Sequence, residues 1–180
     1  IRASAQQTNW AELKTLPFLF VKNERRTLMK PGALQKHYIA KYQVKLVRDG
    51  SLPSDRRTIR TPEDAYAILE PYFSELPSEH FLAVFLTTKN GVLGISCISS
   101  GSLNASIVHP RELFQRAILA NSASIILSHN HPSGDPTPSP EDVSLTRKLC
   151  EAGKVLDITI LDHVIIGDNR FISLKERGVL

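Results

Sequence analysis

Apolar positions recur in this chain with two rhythms, helical and strand-like, that alternate from residue 61 onward. Ala65, Ile68, Leu69, Tyr72, Phe73 and Leu76 fall on a helical period, opened by Thr61-Pro62-Glu63-Asp64 and closed by Pro77. Glu79 to Leu86 is an apolar strand, Lys89-Asn90-Gly91 a hairpin turn, and Val92 to Ser99 the returning partner. Pro110 to Ala120 predicts a second amphipathic helix with Leu113, Phe114, Ala117 and Ile118 on one face. Ala123-Ser124-Ile125-Ile126-Leu127 is a short buried strand, and Pro140 to Ala152 a third helix stopped by Gly153. Ile158 to Ile166 and Phe171 to Ser173, split by Gly167-Asp168-Asn169, predict a final hairpin. Helices alternate with strands around one sheet while the hairpins demand antiparallel neighbours. The expected fold is therefore α/β, with a mixed, partly antiparallel sheet flanked by helices.

The first 60 residues carry a weaker pattern. Thr8 or Asn9 caps a short helix through Trp10 and Leu13 that Pro17 ends, and Lys30-Pro31-Gly32 is a turn. Tyr42, Val44 and Leu46 alternate with Gln43, Lys45 and Val47 and predict a strand ended by Asp49-Gly50. Charge separates this part from the rest: residues 1–60 hold 13 Lys and Arg against 4 Asp and Glu, residues 61–180 hold 9 against 14, so the overall +4 divides into +9 and −5. The expectation is a basic N-terminal extension, 1–60, followed by a domain at 61–180. The extension's basic clusters, such as Arg56-Arg57-Thr58-Ile59-Arg60, suit nucleic acid or an acidic protein, although most charge runs are simply solvated surface.

Composition narrows the class without naming a function. With 42% hydrophobic and 22% charged residues the chain reads as an ordinary globular protein, with no apolar run long enough to span a membrane. Cys97 and Cys150 have no C-x-x-C spacing, which excludes a disulfide framework and a cysteine zinc finger and suits a reducing, cytoplasmic setting.

The candidate chemistry lies between Ser128 and Asp142, S-H-N-H-P-S-G-D-P-T-P-S-P-E-D. In extended backbone alternate side chains share a face, so His129 and His131 stand side by side, spaced for two imidazoles to grip one metal ion. Pro132, Gly134, Pro136 and Pro138 prevent regular structure until Ser139-Pro140-Glu141-Asp142 restarts it as a capped helix. A loop that folds back would offer Asp142 as the third ligand, and two imidazoles with one carboxylate leave the fourth tetrahedral position of Zn2+ open. Each part alone is weak. An isolated His-x-His is usually no metal site, and Thr61-Pro62-Glu63-Asp64 shows the same cap with no histidine near it.

Together the parts carry a resemblance. The order His129, His131, Ser139, Asp142 resembles the JAMM metal signature of JAB/MPN metalloproteases, whose domain is cytidine-deaminase-like. S-G-S-L-N-A-S-I-V-H-P-R-E-L and L-D-H-V-I-I-G-D are similar to the RadC-like branch, in a short form without a helix-hairpin-helix segment. The resemblance implies a zinc-dependent hydrolase of peptide or isopeptide bonds, with His129, His131 and Asp142 on the metal. It also implies that Glu79, at the junction of helix and strand, is the general base, and that Ser139 helps hold the oxyanion. Glu141 and Glu112 are rival bases, His109 a weaker site candidate, and His163 either supports the metal ligands or is a packed core histidine. His37 and His80 read as surface or core filling.

Other zinc hydrolases fit less well, since H-x-H-x-D-H fails after His131, and no G-x-S-x-G supplies a serine nucleophile. The expected partner is a peptide or protein substrate. Two alternatives remain: an accessory protein in DNA transactions, suggested by the basic extension, and a non-catalytic interaction module on the same fold.

Overall fold

Residues 38–52, 54–74, 76–101 and 108–180 are described by a computed structural model. The helix expected from Thr8 and the turn at Lys30-Pro31-Gly32 lie outside these residues, as does His37. The chain divides into two compact units, Ile1–Tyr42 and Gln43–Leu180. Of the first only residues 38–42 are described, and they are exposed.

In the second unit a five-stranded sheet has the order β2-β1-β3-β4-β5, formed by β1 (Glu79–Leu86), β2 (Val92–Gly101), β3 (Ser124–Asn130), β4 (Thr159–Gly167) and β5 (Arg170–Ser173). Every neighbouring pair is antiparallel except β3 and β4. That parallel pair needs a crossover, which α3 (Pro140–Val155) supplies. With α1 (Pro62–Phe73) and α2 (Pro110–Leu119), this is the mixed α/β sandwich that the alternating pattern predicts.

Strand alternation sorts the apolar residues into two cores. Phe81, Ala83, Phe85, Ile125 and Leu127 face α2 and α3, where they meet Leu113, Phe114 and Leu149. Leu82, Val84, Leu86 and Ile126 face α1 and meet Ala65, Ile68, Leu69 and Phe73. Leu69, Leu82, Leu86 and Leu127 are completely buried, each worth about 2 kcal/mol relative to exposure. β3, central in the sheet, is buried at all seven positions.

Four local expectations need correction. No strand forms at Tyr42–Val47: residues 38–50 have no regular structure and are exposed. α1 ends at Phe73 rather than at Pro77. Pro71 has already removed one donor from its last turn, and the Ser74 hydroxyl donates to Pro71 O at 3.2 Å. Ile118 is 54% exposed, because α2 turns only Leu113, Phe114 and Ala117 inward. α3 runs through Gly153 to Val155, and the chain reverses instead at Asp157, with φ 55. Gly153 is required for packing, since a Cβ there would lie 2.5 Å from Ile158 O.

Candidate metal centre

The end of β3 is held from both sides. Phe81 of β1 is opposite His129, and Ile165 of β4 flanks it. The pleat therefore puts His129 on the face covered by α2 and α3, where its ring stacks on Phe81 with centroids 5.9 Å apart. His131 lies past the strand, but its N–H donates to Ile166 O at 2.9 Å, so the ladder orders one more residue. The loop then turns back onto the β4–β5 connection: Gly134 N–H donates to His131 O, and Asp168 N–H donates to Gly134 O. Gly134 has φ 78 and the Asp168 carboxylate where a Cβ would stand, so only glycine fits there.

α3 brings the third residue. Asp142 N–H donates to Ser139 Oγ at 3.1 Å, while Asp142 Oδ2 accepts from Ser139 N–H at 2.8 Å and from Ser139 Oγ at 2.6 Å. This reciprocal cap stabilises the helix by about 1 kcal/mol. Thr61 and Asp64 build the same cap on α1, but there the carboxylate meets Arg56. At α3 it meets two imidazoles: Asp142 Oδ1 is 3.3 Å from His129 Nε2, and Oδ2 is 3.6 Å from His131 Nε2. Position at the end of β3, not the motif, makes the difference.

The two Nε2 atoms are 3.0 Å apart. Neighbouring ligands of a tetrahedral zinc with bonds of about 2.0–2.1 Å stand about 3.3 Å from one another, and the two imidazole nitrogens and the carboxylate oxygen nearer to each are spaced on that scale. His129, His131 and Asp142 are thus able to hold a metal ion. The tautomer of the neutral His131 ring agrees: its Nδ1 lies 2.7 Å from Asp135 O, which can only accept, so a single ring proton sits on Nδ1 and Nε2 turns a lone pair to the site.

The electrostatics favour a cation here. Burial works to raise the Asp142 carboxyl, but hydrogen bonds to His129 and His131, the charge of His129 and the Ser139 hydroxyl together hold it well below the usual carboxylate range. The hydrogen bond to Asp142 raises His131 against its own burial, with the Asp135 carbonyl and the charges of Asp142 and Glu79 adding to the effect. His163 is completely buried, and burial, followed by the charge of His129, keeps its pKa well below the usual imidazole value.

Glu79 is the first residue of β1 and is exposed. Two residues before Phe81, it lies on the same face of β1 as Phe81, and its charge reaches the His131 imidazole. Glu141 is exposed in the first turn of α3, Glu112 stands in the first turn of α2, and His109 caps α2 without a side-chain hydrogen bond. His80 Nδ1 lies 3.0 Å from Ser78 O, away from the triad's bonding. His163, by contrast, contacts His129 directly, Nε2 to Nδ1 at 2.8 Å.

Sequence reasoning missed two polar residues. Asn130 Oδ1 accepts from His80 N–H at 2.8 Å, and its Nδ2 donates to Ser78 O at 3.1 Å, strapping down the start of β1 where Glu79 stands. Thr146 is buried between Asp142 and His163. Its signal was the i+4 spacing from Asp142, which places both on one helix face.

A mixed sheet with His-x-His at the end of a central strand, and an acid on the capped helix that follows, defines an α/β domain of the JAB/MPN type. The chain belongs to the RadC-like JAB domain family, whose model matches residues 59–179. Among its relatives, a UPF0758 protein of Methanococcoides burtonii is 56% identical over 125 residues, covering 69% of this chain and 55% of that protein. Another, of Desulfitobacterium hafniense, is 59% identical over 128 residues, covering 71% of this chain and 56% of that protein. The chain thus spans little more than half the length of these relatives. No helix among the described residues is long and apolar enough to cross a membrane.

Proposed function

We propose that this chain is a zinc-dependent hydrolase that cuts a peptide or isopeptide bond, and that it works in the cytoplasm, where its free thiols Cys97 and Cys150 stay reduced. The observation that carries the reading is the convergence of His129 Nε2 and His131 Nε2, 3.0 Å apart, on the Asp142 carboxylate, whose Oδ1 is 3.3 Å from the first and Oδ2 3.6 Å from the second, with the charge of Glu79 reaching His131. Zinc held by these three residues supplies Lewis acidity and makes water a nucleophile near neutral pH. His129, His131 and Asp142 would hold it as three protein donors, one fewer than a closed structural site uses.

The residues around the triad divide the remaining work. The Glu79 carboxylate takes a proton from the attacking water and returns it to the leaving amine nitrogen, which balances the hydrolysis. Ser139 orients Asp142 through its cap, and by turning its hydroxyl proton from Asp142 Oδ2 to the substrate oxygen it holds the charge that develops there. Phe81 stacks against His129 and holds its ring in the buried wall of the site.

The test is cleavage of peptide and lysine-linked isopeptide substrates by the purified chain, with and without a chelator. Cleavage that the chelator abolishes and added zinc restores supports the reading. Cleavage indifferent to the chelator, or none by zinc-loaded protein on either substrate class, overturns it.

A further inference from the structure

We propose that Thr146 and His163 are positioning residues that fix the tautomer of the neutral His129 ring, with its proton on Nδ1 and the Nε2 lone pair turned toward the Nε2 of His131, where a metal ion would bridge them. The argument starts at a carbonyl. Thr146 Oγ1 lies 2.7 Å from Asp142 O, and a carbonyl has no proton to give, so the threonine hydroxyl donates there. The same Oγ1 lies 2.6 Å from His163 Nδ1. Its single proton is already engaged, so His163 Nδ1–H must be the donor in that contact.

Both ring nitrogens of the buried His163 are taken up, by Thr146 and by His129, so in the neutral ring the proton on Nδ1 leaves Nε2 bare. The contact of 2.8 Å from His163 Nε2 to His129 Nδ1 then requires the proton on His129 Nδ1. His129 Nε2 is left with a lone pair, 3.0 Å from the Nε2 lone pair that the Asp135 carbonyl imposes on His131. A neutral pair would relieve this by an N–H···N hydrogen bond, but both tautomers are fixed against it. The first turn of α3 therefore acts twice: the Asp142 side chain supplies the third ligand, and the Asp142 carbonyl sets, through two relays, the tautomer of the first.

The inference rests on the metal-centre reading only for what fills the site, since the tautomers belong to the metal-free protein. Nitrogen-15 spectra of the metal-free chain, at a pH where every imidazole is neutral, should show His129 and His163 protonated on Nδ1 and bare at Nε2, in the wild type and in Thr146→Ser. Thr146→Val removes the relay hydroxyl at nearly constant volume. It should place a proton on His129 Nε2 in part of the population and weaken zinc binding about ten- to a hundredfold, with Thr146→Ser retaining wild-type affinity.

A wild-type His129 protonated on Nε2 overturns the proposal, as does a folded Thr146→Val protein with unchanged zinc affinity. Should that variant fail to fold, the wild-type spectrum alone decides. The predicted tautomers in a chain that binds zinc but cleaves no amide would sink the hydrolase reading and leave this one standing.

Discussion

Asp142 is a cap and a ligand at once, and the two jobs use different properties of one side chain. The cap needs an acceptor for Ser139 N–H and Oγ, whereas the metal needs a negative charge between two imidazoles. Asp142→Asn keeps the acceptor and loses the charge. It should leave the unfolding midpoint of the metal-free protein within a few degrees of wild type while lowering zinc occupancy severely, which calorimetry and elemental analysis would read on one preparation. Glu79 presents the opposite case, a charge close to the site with no bond to it. Glu79→Gln should bind zinc normally and lose on the order of 10²-fold or more in turnover, the usual scale of general acid-base catalysis. Unchanged turnover would move the base to Glu141, Glu112 or His109, and lost metal would make Glu79 a ligand. At this scale the sequence was most legible where neighbours in the chain are neighbours in space, as with His129 and His131 or Ser139 and Asp142. The relay through Thr146 and His163 was hidden because the parallel crossover, not local spacing, brings residues 17 and 34 apart into contact.

Among the elements, α3 tests the account most sharply. Ser139→Ala should cost about 1 kcal/mol of stability through the lost cap and also loosen Asp142, so zinc affinity should fall with it. Gly153 separates two readings of one residue by the sign of an effect. If it were an interior helix glycine free of contacts, Gly153→Ala would stabilise the protein by roughly 0.5–1 kcal/mol. The close approach of Ile158 O instead predicts destabilisation of about 1–3 kcal/mol by overpacking, measurable by urea unfolding. Periodicity located α3 because its capping signals are local. It placed the end wrongly because a glycine that stops a helix and one that lets a strand pass close look alike in sequence. The strand expected at Tyr42–Val47 failed for a related reason: alternation marks a capacity to pair and does not supply a partner, and this segment stays exposed.

For the whole molecule, the mixed sheet and its two hairpins were readable from periodicity and turn residues, while the strand order set by the β3–β4 crossover and the role of the basic extension were not. Thr58 bridges Gly91 and Ile59 is buried against α1 and the sheet, so the folded unit reaches back past residue 60. Removing residues 1–52 should spare Arg56 to Ile59, leave zinc stoichiometry unchanged and alter partner binding or solubility alone. Failure of that shortened chain to fold would make the extension part of the domain. Zinc should also stabilise the intact chain by mass action, by about 2.7 kcal/mol when free zinc is a hundred times its dissociation constant. The measurement closest to the central claim is metal stoichiometry by elemental analysis, on wild-type and His131→Ala protein purified without chelators. The account predicts near one zinc per wild-type chain and almost none in the variant; a wild type that takes up no zinc, or a variant that keeps full occupancy, contradicts it.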